Sequence, residues 1–294
     1  MTTGVQQVDA PRRALSPSRA ADFMQCPLLY RYRTIDRLPE APTEAAVRGT
    51  VVHAVLERLY DLPATERTLE RACAMVEPQW QELLDREPRV RALFGADADR
   101  DDVVAEALTG WLASARTLLG KYFDLEDPTR LEPEACELRV EVDLENGLVL
   151  RGIVDRLDVA PTGEMRVVDY KTGRAPSETF ETKALFQMRF YALVLWRMRG
   201  EVPRLLQLVY LGSGEILRYA PDEGDLLATE RKVKALWDAI ERNRAAGDWR
   251  PKPGRMCSWC NHKAICPSFG GTPPPLPLET PVVREPVEVP GLDE

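Results

Sequence analysis

The sequence predicts an α/β domain: a mixed central sheet flanked and elaborated by helices. Three observations carry that class. Between residues 16 and 122, apolar side chains recur mostly at helical spacing. Near residue 134 the pattern switches to alternation broken by turn signals, which reads as three meandering strands. After residue 177 come a helix, a strand pair and another long helix. Helices before, between and after the strands bury a sheet on its faces, as α/β layer architectures do.

Taken in order, residues 1–14 read as a disordered lead-in. Ser16-Pro17 starts a helix, with Ser as N-cap and Pro at the first position, and that helix ends near Cys26-Pro27. "LLYRYRTIDRL" follows, with Arg31, Arg33 and Arg37 interleaved with Tyr30 and Tyr32. It reads either as a solvated helix face or as a phosphate-contacting one. Val47, Val51, Val55, Leu56 and Leu59 mark a strong helix over residues 44–61. Residues 66–122 read as a helical insertion anchored by Trp80, Leu83, Leu84, Leu108, Trp111, Leu112 and Leu118. "ACELRVEVDL", the Asn146-Gly147 turn and "LVLRGIVDRLDV" form a hairpin, and the turn at 161–163 leads into "MRVVDYKTG". From Ser177 a helix runs to Gly200, a strand pair surrounds Gly212-Ser213-Gly214, and Asp222 caps a helix to about Ala246. Residues 268–294 read as a disordered, Pro-rich, acidic tail.

The chain's 294 residues, 44% hydrophobic and 29% charged, suit one large or two small soluble domains. No run of about 18 apolar residues is present, so no membrane partner is expected. The N-terminal stretch lacks the apolar segment of a secretory signal, so the expected location is cytoplasmic. There, clustered cysteines serve as metal ligands more often than as disulfides. Net charge is −8, and half of it lies in residues 271–294. The rest of the chain is only mildly acidic and leaves room for a local basic, nucleic-acid-binding surface.

The chemistry-bearing residues lie in the strands. Asp169 and Lys171 are two apart, so they share a face of the third strand. A hairpin partner brings Asp155 beside them, and Glu137 on the first strand can join from the other side. Carboxylates among Ile153, Val154, Leu157, Val167 and Val168 are costly to bury unless paired or metal-bound. Two acids and a lysine suit phosphodiester hydrolysis, with Mg²⁺ held by the acids and a water activated on it. His53, with Glu57 four residues on, is a candidate metal ligand from the 44–61 helix, and Gln187 and Tyr191 form another i, i+4 pair. "CSWCNHKAICP" places Cys257, Cys260 and Cys266 together as three soft ligands that lack a fourth.

Taken together, "RGTVVHAVLE", "LRGIVDRLD", "VVDYKTG" and "QMRFY" resemble, in order and spacing, the RecB-like branch of the PD-(D/E)XK nuclease superfamily. The resemblance covers roughly residues 15–267 and implies a restriction-endonuclease-like core. It implies that His53, Asp155 and Asp169 ligate Mg²⁺ or Mn²⁺, that Lys171 is the catalytic lysine, and that Gln187 and Tyr191 help hold DNA. "FMQCPLLYRYR" resembles the N-terminal cysteine stretch of the family's iron–sulfur, four-cysteine members. By that resemblance Cys26 joins Cys257, Cys260 and Cys266 around a 4Fe–4S cluster that staples the two ends of the core. A structural zinc, with His262 replacing one cysteine, is the alternative, and Cys73 and Cys136 lie outside the pattern. The implied activity is a DNA exonuclease in repair or recombination, acting on single strands or duplex ends. No phosphate-loop motif is present, so a helicase or repair partner would supply any motor. The competing readings are a CRISPR-adaptation-type iron–sulfur nuclease, a non-catalytic DNA-binding module and a zinc-stapled interaction protein.

Overall fold

The computed structural model describes residues 13–94, 101–144, 147–175 and 178–277. The chain enters through a two-residue strand, β1 (Ala14–Leu15), and then α1 (Pro17–Gln25). Ser16 caps α1 by accepting from the Arg19 N–H, as its sequence position predicts. Cys26 is extended and breaks the chain between α1 and α2 (Pro27–Tyr30). Helices α3 (Glu44–Tyr60), α4 (Leu69–Arg86) and α5 (Asp101–Leu125) follow. Next come β2 (Ala135–Leu144), β3 (Leu148–Val159) and β4 (Met165–Lys171). Helix α6 (Glu178–Arg199), strands β5 (Leu205–Tyr210) and β6 (Glu215–Tyr219), and helix α7 (Glu223–Ala246) complete the core.

The sheet is mixed, as expected. β2, β3 and β4 form an antiparallel meander, β4 pairs with β5 in parallel, and β6 closes the edge antiparallel to β5. β1 runs parallel to the start of β3. Layers cover both faces. Against one face pack α1, α6 and α7, with Phe23, Met188, Leu195, Leu226 and Val233 in the core. Against the other pack α3, α4 and α5, with Val51, Leu56, Trp80, Trp111 and Leu119. β4 serves both layers: Met165 and Val167 belong to the first core, Val168 and Tyr170 to the second. That double burial is why "MRVVDYK" reads as a nearly continuous apolar run.

Ala14 pairs with Val149, which places it inside the sheet. Residues Pro267–Phe269 form a 3₁₀ turn, and the Pro274 carbonyl accepts from Arg31, so the first part of the tail lies against the fold. The expected disorder of residues 1–12 and 278–294, the Asn146 half of the hairpin turn and the Ser177 helix start lie outside the described residues. "LLYRYRTIDRL" is not a solvated helix face throughout. It continues α2 as a π-helical turn with Tyr30, Arg31 and Tyr32 buried. Arg31 pairs with Asp36 at 2.9 Å, and Arg33 with Asp22 at 2.6 Å and Glu40 at 2.8 Å. These two guanidinium groups are committed to the fold, not to phosphate.

An ion network pins the α3–α5 layer to the central strands. Arg156 of β3 is fully buried and pairs with Glu126, 2.8 Å away just past α5. The same guanidinium donates to the hydroxyls of Tyr60 at 2.9 Å and Tyr170 at 2.5 Å and pairs with Asp158. Gln207 of β5 donates to the second Glu126 oxygen at 2.9 Å. A buried charge is tolerated only when every donor finds such a partner. Arg156→Ala would leave the buried Glu126 without its cation, while Asp158 keeps Arg166. It is expected to cost about 3–5 kcal/mol in urea unfolding; a loss below about 1 kcal/mol would show that the network is not structural.

A candidate metal-dependent active site

Three elements meet at the C-terminal end of β4. β3 and β4 pair through Arg156↔Val168 and Leu157↔Val167, so the next pair up the register brings Asp155 beside Asp169. β2 pairs Cys136 with Arg156 and Leu138 with Val154, which puts Glu137 at the level of Asp155. There the ribbon changes face. Val154 packs in the core against α6, while Arg156, two residues on, points into the helical layer. Simple alternation would give both residues one face. The change coincides with Glu137, whose φ of 46° is left-handed, a conformation costing about 1–2 kcal/mol in a residue with a Cβ. The twist sets Asp155 and Glu137 at the seam between the layers, within reach of both α3 and α6.

His53 arrives from α3. One ring nitrogen, Nε2, lies 3.0 Å from the Tyr170 carbonyl and donates to it. The other, Nδ1, faces Asp155 Oδ2 at 3.5 Å and Glu137 Oε1 at 3.7 Å. Asp155 Oδ2 accepts the Tyr170 backbone N–H at 2.7 Å. Asp169 is 1% exposed. Its Oδ2 lies 2.7 Å from Lys171 Nζ, and its Oδ1 accepts from Gln187 Nε2 at 3.0 Å. Gln187 Oε1 accepts from Lys171 Nζ at 3.0 Å, and Gln187 Nε2 also reaches the Tyr191 hydroxyl at 3.1 Å. Asp169, Lys171 and Gln187 thus close a ring of contacts, with Tyr191 behind it. Gly152 makes room for this, since a Cβ there would stand 2.6 Å from Tyr191 Cε1.

The charges are strained as they stand. Burial, then the charge of Asp169, pushes the Asp155 carboxyl up to about 7, against the pull of His53 and the Tyr170 N–H. Burial alone would lower the His53 pKa, but Glu137, Asp155 and Asp169 outweigh it and raise it. Burial keeps the Tyr191 hydroxyl protonated far above its usual range. Two carboxylates, one imidazole lone pair and a buried neighbour of like charge are the donor set of a small divalent cation. A His that donates its remote N–H to a backbone carbonyl is oriented as a metal-ligating His is. The residues therefore fit a metal. The set that converges most tightly is His53, Glu137 and Asp155, whose ligand atoms lie within 4.8 Å of one another. The expected trio was His53, Asp155 and Asp169. Asp169 stands alongside but is engaged by Lys171 and Gln187, and Glu137 takes the nearer place.

The cysteines gather where α1 and α2 meet the C-terminal segment, beside Phe186 of α6. Cys26, Cys257, Cys260 and Cys266 all line one cavity of about 420 Å³. Cys26 Sγ accepts from the Lys252 N–H and Cys257 Sγ from the Gly254 N–H, each at 3.3 Å. Among the described residues, no three of these sulfurs come within 4.8 Å of one another. His262 lines the same cavity; it is buried, with its Nε2 2.9 Å from Glu40 and its ring against Tyr32. Cys73 and Cys136 stand apart as partly buried thiols, and burial pushes Cys136 up to about 12.

The fold and site are those of a metal-dependent nuclease. The family model of the PD-(D/E)XK nuclease superfamily matches residues 14–267, and the chain belongs to that superfamily. The "Gene 69 protein" of Mycobacterium phage L5 is 25% identical over 288 residues, covering 86% of this chain and 96% of that protein. The "Gene 69 protein" of Mycobacterium phage D29 is 26% identical over 285 residues, covering 90% and 99%. The crystal structure of a "Putative exonuclease" from Eubacterium rectale matches with a TM-score of 0.54 at 12% identity. That match covers 85% of this chain and 87% of that one, and at such identity it speaks for the fold alone. No helix among the described residues is long and apolar enough to cross a membrane.

Proposed function

We propose that this chain is a deoxyribonuclease of the RecB-like, iron–sulfur type, acting as an exonuclease on single strands or duplex ends in DNA repair or recombination. The observation that carries the nuclease reading is the convergence of His53, Glu137 and Asp155 beside the Asp169–Lys171–Gln187 ring. His53, Glu137 and Asp155 would hold Mg²⁺ or Mn²⁺, with Asp169 completing the acidic wall. When bound, the ion supplies Lewis-acid polarisation of a phosphate and a more acidic water.

The chain's own residues do the rest. Asp169 and Gln187 fix Lys171 Nζ at the edge of the carboxylates. From there it orients an attacking water through its N–H donors and neutralises charge that builds on the phosphate oxygens. Tyr191, held protonated by burial, supports the Gln187 amide. The leading domain reading remains one nuclease domain over residues 15–267 with residues 66–122 as an insertion. A helicase or repair partner would supply any motor, and the cytoplasm is the proposed location.

Cys26, Cys257, Cys260 and Cys266 would hold the 4Fe–4S cluster. All four line one shared cavity, which supports a common ligand for them. Four thiolates on one zinc, each about 2.3 Å from it, crowd closer together than thiolates around a four-iron cage.

Two assays test this reading. End-labelled single- and double-stranded DNA should be degraded with Mg²⁺ or Mn²⁺. Asp169→Ala and Lys171→Ala should each lose about a hundredfold or more, while DNA binding survives. Equal cleavage by wild type and Asp169→Ala would overturn the active-site assignment; binding without cleavage by wild type would mark a DNA-binding module. Anaerobically purified protein should be brown and hold iron and sulfide. A colourless protein with one zinc per chain would overturn the cluster.

A further inference from the structure

Beside Gln187 and Tyr191 opens a groove of about 670 Å³. Pro17 and Ser18 of α1 form one wall, and the β2–β3 ribbon forms the floor. The ribbon enters it directly from the acidic site. Beyond the level of Glu137 and Asp155, its outward pairs are Arg139↔Ile153 and then Glu141↔Arg151. All four residues are exposed, while Val140, Leu150 and Val154 between them are buried. Successive outward pairs are about 7 Å apart at the rise of a strand, comparable with the spacing of phosphates on an extended nucleic-acid strand.

The charge here is unusual for this chain. Arg31, Arg33, Arg156, Arg166, Arg197 and Arg199 are each locked to a carboxylate. Arg139 and Arg151 make no ion pair among the described residues. Arg19, which donates to the Ala14 carbonyl at 2.9 Å, sits close enough to feel Arg151 and Arg37. Glu141 is the acid in the lining. In a protein of net charge −8, unpaired arginines crowd beside the acidic site, and like charges left together mark a place for an anion. Ile153 lies 43% exposed on the same floor, directly across the ribbon from Arg139. A duplex keeps its base faces stacked inside; an unpaired strand offers them to such an apolar surface. The volume is that of a couple of nucleotides.

We infer that Arg139 and Arg151 are positioning residues for a single DNA strand, which lies in this groove with its phosphates on the two guanidinium groups and a base against Ile153. The inference rests on the nuclease reading for the scissile phosphate at Asp155 and Asp169. It assigns to the groove the nucleotides next to that phosphate. The two arginines act on strand affinity and leave the chemical step alone.

The test uses the full chain with two double variants, Arg139→Gln with Arg151→Gln, and Arg139→Lys with Arg151→Lys. Binding of a fluorescent oligothymidylate is followed by anisotropy in EDTA, so it does not depend on cleavage. The glutamine pair should bind about tenfold more weakly or worse, and the slope of log affinity against log salt should fall by about 1.4, two phosphate contacts on a single strand. The lysine pair should keep most of the affinity and slope. With Mn²⁺, the glutamine pair should raise KM for the strand and leave kcat within about twofold. A p-nitrophenyl ester of thymidine 5′-phosphate, too short to reach the groove, should be hydrolysed as by wild type. Unchanged affinity and salt slope in the glutamine pair would overturn the inference, as would a wild type that binds blunt duplex more tightly than the strand. Neither result touches the nuclease reading, which fails separately if Asp169→Ala cleaves like wild type.

Discussion

Asp155 and Asp169 lie side by side in the interior, and much of the molecule answers the cost of keeping two negative charges there. In a medium of low polarity one of a pair of close carboxylates gives up its charge unless cations and donors surround it. Here the Tyr170 N–H, Lys171, Gln187 and His53 supply that surrounding. They come from β4, α6 and α3, so the compensation spans the sheet and one helix of each flanking layer. What remains uncompensated, seen in the raised pKa of Asp155, is the pull on a divalent cation.

The same strands carry the opposite obligation on their other face. Arg156 follows Asp155 in the chain, and Tyr170 separates Asp169 from Lys171. Arg156 and Tyr170 bond to each other inside the α3–α5 layer. A shift of β3 against β4 would break that buried bond and carry Asp155 away from Asp169. The twist at Glu137 and Asp155 lets one ribbon satisfy both layers. Past the twist, the ribbon's outward face continues as the groove beside α1.

Much of this was legible in the sequence. β2 and β3 begin and end where alternation and turn residues put them, and α7 starts at the Asp222 cap. Gln187 and Tyr191 touch as an i, i+4 pair should. Asp155 meets Asp169 because hairpin register follows from strand length. Other features had no local signal. A left-handed glutamate looks like any other glutamate in sequence, so the face change at Glu137 and its approach to His53 were hidden. Arg156 could have been noticed as a charge inside an apolar strand, but its partners, Glu126 and Tyr60, lie far away in the chain. Arg31 reads as a surface residue until Asp36 and the Pro274 carbonyl close around it.

These buried acids are proposed to hold a metal. Calorimetric titration of Mn²⁺ into the metal-free protein, beside Asp155→Asn, tests it most directly. Saturable binding by wild type that Asp155→Asn abolishes or weakens by at least about tenfold is the predicted result. The substitution also removes a buried like charge, so the variant should be at least as stable without metal. Equal Mn²⁺ binding by both proteins, or no binding by wild type, would show that Asp155 holds no metal.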